Sequence, residues 1–291
     1  MYEAFYGFRE RPFSLLPDPR FLYLGKNHSL ALAMLEYGLL MQSGFVVITG
    51  EVGSGKTTLI QHVLKSIDSG VTVGVIANTH RAFGTLLQWV MQAFGLNYRD
   101  KDDAELYEAF VEFLVREHTQ GRRTVLILDE AQNVDADGLE ALRMLSNINS
   151  GQHQMLQVIL VGQPELQRTL QLPGMRQLAQ RVGADYHLDS LGQGETAAYI
   201  RHRLEVAGGD PDLFEPEAMA VVTSHSRGIP RLINILCETA LVYGLVDARR
   251  RIGSDLVLEV VRDKARTGIV PLRRESAAVG GKEVVVLPGK G

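Results

Sequence analysis

Apolar positions along the chain follow two regimes. Between Phe45 and Leu188, short β-branched runs alternate with stretches of helical spacing; after Leu191 only the helical spacing persists. Phe45-Val46-Val47-Ile48 reads as a buried strand, and "VTVGVIAN", "TVLILDEAQ", "LQVILVGQ" and the shorter "ADYHL" read as four more. Helices are predicted between them, after the glycine-rich turn at 60–64 and over 83–94, 103–118 and 138–147. Strands that alternate with helices predict an α/β fold with a parallel five-stranded sheet covered on both faces. Upstream, "FYGFRERPFSLLPDPRFLYL" predicts an extended arm, because Pro12, Pro17 and Pro19 exclude a regular helix, and "HSLALAMLEYGLLM" predicts a helix. Downstream, helices are predicted over 194–207, 215–226, 230–243 and 254–266. The expected organisation is an arm and helix at 1–44, a nucleotide-binding core at 45–190, a helical lid at 191–267 and a mobile tail at 268–291. The tail is glycine-rich and charged, apart from Val284-Val285-Val286-Leu287, an apolar piece suited to adding as a strand to another protein's sheet edge. No repeat of fixed period is present.

Composition narrows the function classes. The chain has 291 residues, 45% hydrophobic, enough for a sizeable core and more than one unit. A net charge of −4 and a pI near 6.1 give no bulk basic signature for nucleic acid, although a local patch around Arg122 and Arg123 stays open. One cysteine, Cys237, precludes an intramolecular disulfide. The first residues lack a signal-peptide core, and no run reaches the roughly 18 apolar residues of a membrane span. A soluble, cytoplasmic protein is expected.

The turn after the first strand carries the chemistry. Gly50-Glu51-Val52-Gly53-Ser54-Gly55-Lys56-Thr57 satisfies every fixed position of a phosphate loop, and Thr58 follows it. Glycines there permit positive φ and close approach of the backbone to phosphate oxygens. Backbone N–H groups of such a loop bind anions, Lys56 is placed to reach the β- and γ-phosphates, and the Thr57 hydroxyl is placed to bind Mg²⁺. A fortuitous glycine turn is the alternative, which a preceding strand and a following helix disfavour. A second apolar strand ends in Asp129-Glu130. Ligands gather at the carboxyl ends of parallel strands, so Asp129 is a candidate for holding Mg²⁺ and Glu130 for polarising a water against the γ-phosphate. A plain helix N-cap is the other reading of these acids.

The segments "FYGFRERPFSLLPDPRFLYLGKNH", "GEVGSGKTT", "LILDEAQ", "LVGQPEL", "LAQRV" and "GIPRLINILC", in that order, resemble bacterial AAA+ ATPases of the ExeA/GspA kind, over about residues 2–267. That group includes secretion, pilus, exopolysaccharide and exosortase ATPases and is related to regulators of transposition. The resemblance implies that Gln163 senses the γ-phosphate and attacking water, that Arg231 is the second sensor on the lid, and that Asn78 holds the catalytic glutamate away from water. It also implies an arginine finger acting on a neighbour's ATP. Arg176 and Arg181 are both candidates, with Arg181 preferred because it lies just before the fifth strand. Gln163 beside Pro164 also reads as a helix cap, and Asn78 as a turn residue. The arm is expected to touch adenine through backbone groups near Pro12 and Phe13, while Phe13, Phe21 and Tyr23 equally suit core anchoring; His28 reads as structural.

The secretion ATPases of this group continue past the lid into a membrane span and a peptidoglycan-binding domain. This chain reads as ending in a polar tail instead, which shifts the expectation toward the pilus, polysaccharide-export and transposition branches. The expected function is an ATP- and Mg²⁺-dependent, homo-oligomeric assembly or remodelling ATPase of a bacterial envelope system. Its ATP sites would lie at subunit interfaces, and it would be peripheral at the inner membrane through a protein client. The alternatives are a DNA-binding regulator of transposition, which the acidic pI disfavours, and a non-hydrolysing nucleotide switch, against which Glu130 and Arg181 count.

Overall fold

A computed structural model describes residues 1–77, 85–150 and 153–272. The chain enters through α1 (Glu3–Tyr6), a 3-10 turn at Pro19–Phe21 and α2 (Lys26–Leu40). There follow β1 (Phe45–Gly50), α3 (Lys56–Ser66), β2 (Val71–Ile76), α4 (Leu86–Ala93), α5 (Asp103–Thr119) and β3 (Arg123–Leu128). A 3-10 turn at Ala131–Asn133 leads to α6 (Ala136–Leu145) and a small antiparallel ribbon, β4 (Asn149–Ser150) with β5 (His153–Gln154). The second half of the α/β region comprises β6 (Leu156–Gly162), α7 (Pro164–Leu170), a 3-10 turn at Pro173–Met175, α8 (Arg176–Ala179) and β7 (Val182–Leu188). The last helices are α9 (Gln193–Val206), α10 (Pro216–Ser226), α11 (Pro230–Val246) and α12 (Ser254–Thr267). Asn78 and everything after residue 272, including the apolar piece of the tail, lie outside the described residues.

The sheet has five parallel strands in the order β2-β3-β6-β1-β7. Successive residues of the central strands point to opposite faces, and both faces are covered. Phe45, Val47, Leu126, Leu128, Val158 and Leu160 join a core with residues of α4, α5 and α6. Val46, Ile48, Val125, Ile127, Ile159 and Val161 join a second core with residues of α2 and α3. All six residues of β1 and all seven of β6 are buried, which explains why these runs are continuously apolar.

The order places β6 between β1 and β3, in a register that pairs Thr49 with Gly162 and Leu128 with Leu160. The carboxyl ends of all three strands therefore finish at one edge of the sheet: the phosphate loop leaves β1 there, Gln163 leaves β6, and Asp129-Glu130 leaves β3.

The arm differs from the expected extended segment. One helical turn forms at Glu3–Tyr6, upstream of the first proline, and Gly7 closes it in the left-handed region at φ 78°. Pro19 opens the 3-10 turn, where its fixed φ is favourable, and the Asp18 carboxylate accepts from Arg20 N. The arm is not free either. Tyr2, Phe8, Phe13 and Phe21 are buried in one cluster with Leu204, Phe214, Ile233 and Leu256 of the terminal helical region, so the chain's start completes the core of its last helices. The short α7 and α8, absent from the sequence reading, occupy the connection from β6 to β7. The fifth strand begins at Val182, two residues before "ADYHL".

Candidate nucleotide site

Glycine geometry shapes the loop first. Gly53 and Gly55 have φ of 79° and 101°, the left-handed region that side chains rarely adopt. A Cβ on Gly50 would stand 2.7 Å from the Leu188 carbonyl oxygen, so this position too requires glycine. α3 begins at Lys56, directing the N–H groups of its first turn at the loop. Behind the loop, buried His28 makes a 3.0 Å hydrogen bond between Nε2 and the Ser54 carbonyl, so the residue read as structural buttresses the loop backbone. Burial holds its imidazole below the usual pKa.

Lys56 is buried and donates from Nζ to the carbonyls of Gly50, at 2.8 Å, and Glu51, at 2.9 Å. Burial lowers its pKa, opposed by the carboxylates of Glu130, Asp129 and Glu51. The Thr57 hydroxyl donates to Asp129 Oδ2 at 2.7 Å, joining the loop to the end of β3. Asp129 Oδ1 accepts from the amide of Glu130, whose backbone is left-handed at φ 55°. That uncommon conformation for a residue with a Cβ turns the chain sharply after β3.

Two side-chain amides hold the Glu130 carboxylate. Gln132 Nε2 donates to its Oε2 at 2.5 Å and Gln163 Nε2 to the same oxygen at 3.0 Å. Burial pushes this carboxyl up, but the two amides and the charge of Lys56 outweigh it, and the net shift is downward. The group is thus a carboxylate at neutral pH, able to accept a proton.

These residues border one cavity. Val52, Gly53, Gly55, Lys56, Thr57, Thr58 and Glu130 form its loop end; Arg231 and Asn234 of α11, with Tyr199 and Arg203 of α9, form its helical wall. The buried Ser54 hydroxyl oxygen has no protein partner. A lysine and first-turn amides at one end, with the Thr57 hydroxyl and the Asp129 carboxylate it bonds beside them, fit a Mg²⁺–polyphosphate donor set.

The arm meets the cavity in a shifted register. Phe13 is fully buried against Phe214, with ring centroids 5.9 Å apart and nearly perpendicular, and the Pro12 carbonyl accepts from Arg203 Nε at 2.5 Å. Neither lines the cavity, whereas Ser14, Leu15, Leu16, Pro17 and Asp18 do. The aromatic anchors and the cavity-facing residues are therefore consecutive, and the sequence alone does not divide them.

Arg181 lies elsewhere. Its carbonyl accepts from Phe45 N at the start of β1, the sheet edge opposite the loop, and its guanidinium donates to Ser146 Oγ at 2.8 Å. It does not reach the cavity of its own chain. Arg176, the first residue of α8, is exposed. Sequence reasoning passed over Gln132, which sat inside the quoted "LILDEAQ", and the Tyr199–Arg203 pair, one helical turn apart on α9. Among the described residues, no helix is long and apolar enough to cross a membrane, and no cluster of three or more His, Cys, Asp or Glu forms a metal site.

A family model described as "AAA domain" matches residues 40–170. General secretion pathway protein A of Aeromonas hydrophila is 41% identical over 254 residues, 87% of this chain; the chain spans 46% of that relative's length. Among solved structures, the Aeropyrum pernix ORC2 protein superposes with a TM-score of 0.64 at 21% identity, covering 88% of this chain and 72% of that one. Cdc6p of Pyrobaculum aerophilum gives 0.65 at 13%, covering 85% and 71%. The Thermotoga maritima RuvB branch migration motor gives 0.54 at 18%, covering 87% and 72%. At these identities the structures speak for the fold alone. Residues 40–170 thus carry an AAA domain on a P-loop nucleotide-binding fold, in a chain that is similar to general secretion pathway protein A.

Proposed function

We propose that the chain binds ATP with Mg²⁺ and hydrolyses it as an oligomer, driving assembly or remodelling in a bacterial envelope system of the secretion kind. The observation that carries this reading is the meeting of Thr57, Asp129, Glu130 and Gln163 at one sheet edge beside the phosphate loop. Bound Mg²⁺ would supply neutralisation of phosphate charge, held through the Thr57 hydroxyl and the Asp129 carboxylate. Lys56 exchanges loop carbonyls for phosphate oxygens, which form shorter, charge-assisted hydrogen bonds. Glu130 takes the proton of the attacking water, and the Gln163 amide orients water and γ-phosphate. Arg231 adds positive charge from the helical side, which with its packed arm acts as a lid. Arg181, on the edge away from its own site, suits action on a neighbouring subunit's nucleotide.

The envelope assignment rests on the 41% identity to general secretion pathway protein A. Phosphate release from ATP and Mg²⁺, measured beside the mass in solution, tests the reading. Mg²⁺-dependent turnover by a species larger than one chain is expected; an inactive chain that binds nucleotide, or an active monomer, would oppose it.

A further inference from the structure

Gln132 occupies the 3-10 turn that follows Glu130, and its side chain spans two strand ends. Nε2 donates to Glu130 Oε2 at 2.5 Å, while Oε1 accepts from the backbone amide of Gln163 at 3.0 Å. The Gln163 side chain donates to that same Glu130 oxygen at 3.0 Å. Three residues from the ends of β3 and β6 thus close a ring of hydrogen bonds on Oε2. Gly162 makes room for it, since a Cβ there would lie 3.0 Å from Gln132 Oε1.

We propose that Gln132 is a positioning residue for hydrolysis: it fixes the Glu130 carboxylate with Oε2 occupied, so that Oε1 is the oxygen offered to water, and it ties that orientation to the backbone of Gln163. The inference rests on the reading of Glu130 as the base. Glutamate has three side-chain torsions, and the backbone restricts chiefly the first, leaving the direction of the carboxylate to its partners. Two amide donors on one oxygen choose the rotamer before substrate arrives, and preorganisation of this kind lowers the cost of reaching a reactive geometry. The amide suits both duties because it carries a donor and an acceptor on one plane. Glutamate, of the same size, keeps the acceptor toward Gln163 N and puts an oxygen against Glu130 in place of the donor.

The experiment measures ATP turnover and fluorescent-ATP affinity for the full chain carrying Gln132→Ala, Gln132→Glu, Glu130→Gln and the double substitution Gln132→Ala/Glu130→Gln. Gln132→Ala is expected to lower kcat about tenfold or more, a fraction of the roughly 10²–10⁴ that a general base supplies, with ATP affinity within about twofold of the parent. Gln132→Glu should lower it further. Once Glu130 is gone, Gln132→Ala should alter the residual rate by less than about twofold, because a residue that acts through another has nothing left to act on. Parental turnover in both Gln132 variants, or an equal loss on the Glu130→Gln background, overturns the role of Gln132 and leaves Glu130 as the base. Parental turnover in Glu130→Gln overturns the base itself, and this inference with it.

Discussion

The amide of Arg231 donates a hydrogen bond to the carbonyl of Gly53 at 3.1 Å, tying the first turn of α11 to the phosphate loop by backbone alone. First-turn amides of a helix have no partner within it, and Gly53 satisfies this one. The contact is close: a Cβ on Gly53 would stand 2.4 Å from the Arg231 Cβ, at a φ of 79°. Gly53→Ala is therefore expected to cost about 1–3 kcal/mol in strain and to weaken nucleotide binding through both the loop and the helical wall. Thermal melting and nucleotide titration check this; a variant that binds ATP as the parent does would show that the loop and α11 move apart freely.

Arg203 fastens the arm. It is buried, donates to the carbonyls of Pro12 and Ser14 and to the Tyr199 hydroxyl, and lies 4.7 Å from the centre of the Phe21 ring. Lysine cannot reproduce that fork. Arg203→Lys should leave arm carbonyls unsatisfied, at a cost of about 1–3 kcal/mol each, lower the melting temperature by several degrees and expose the arm to protease. An unchanged melting curve with a protease-resistant arm would contradict this.

Acid should act through Glu117. Arg122 donates to both of its oxygens, and the Thr72 hydroxyl and Arg122 together hold this buried carboxyl down to about 2, against an ordinary value of 4.5. A folded-state pKa below the unfolded one contributes stability above the unfolded value and loses it as pH falls through the folded one. Glu117→Gln should therefore be less stable than the parent at neutral pH, with the gap narrowing between about pH 4.5 and 2. Denaturant unfolding across that range checks the sign, and a pH-independent gap would contradict it.

Arg181 and Glu130 belong to different sheet edges, so a finger acting between subunits should complement. Mixing Arg181→Ala with Glu130→Gln chains, each inactive alone, should recover part of the activity, because some interfaces then contain one intact half-site from each partner. No recovery, with a monomeric mass in ATP and Mg²⁺, would make Arg181 a structural partner of Ser146 only. Arg176, exposed nearby, takes the parallel test.

The phosphate loop and the Asp129-Glu130 pair were legible in sequence because their chemistry sits in contiguous residues between a strand and a helix. Gln163 was reached through the resemblance carried by "LVGQPEL", and it follows β6 at the same sheet edge as Asp129-Glu130. What was not legible depends on partners distant in sequence. The arm's register against the cavity is set by Arg203, some 190 residues away, and by Phe214. That the arm packs with the last helices follows from where its aromatic residues find apolar surface, which periodicity does not encode. The tie from Gln132 to the Gln163 amide, which closes the ring on Glu130, depends on β6 lying beside β3, a feature of strand order.

Glu130→Gln beside Lys56→Ala puts hydrolysis at this site to the most direct test, with ATP affinity and turnover measured on the same preparations. Glu130→Gln should bind ATP as the parent does and lose on the order of 10²–10⁴ in turnover, while Lys56→Ala should lose binding itself. Turnover by Glu130→Gln within a few-fold of the parent would contradict the assignment of the base, and ATP binding unchanged by Lys56→Ala would contradict the site.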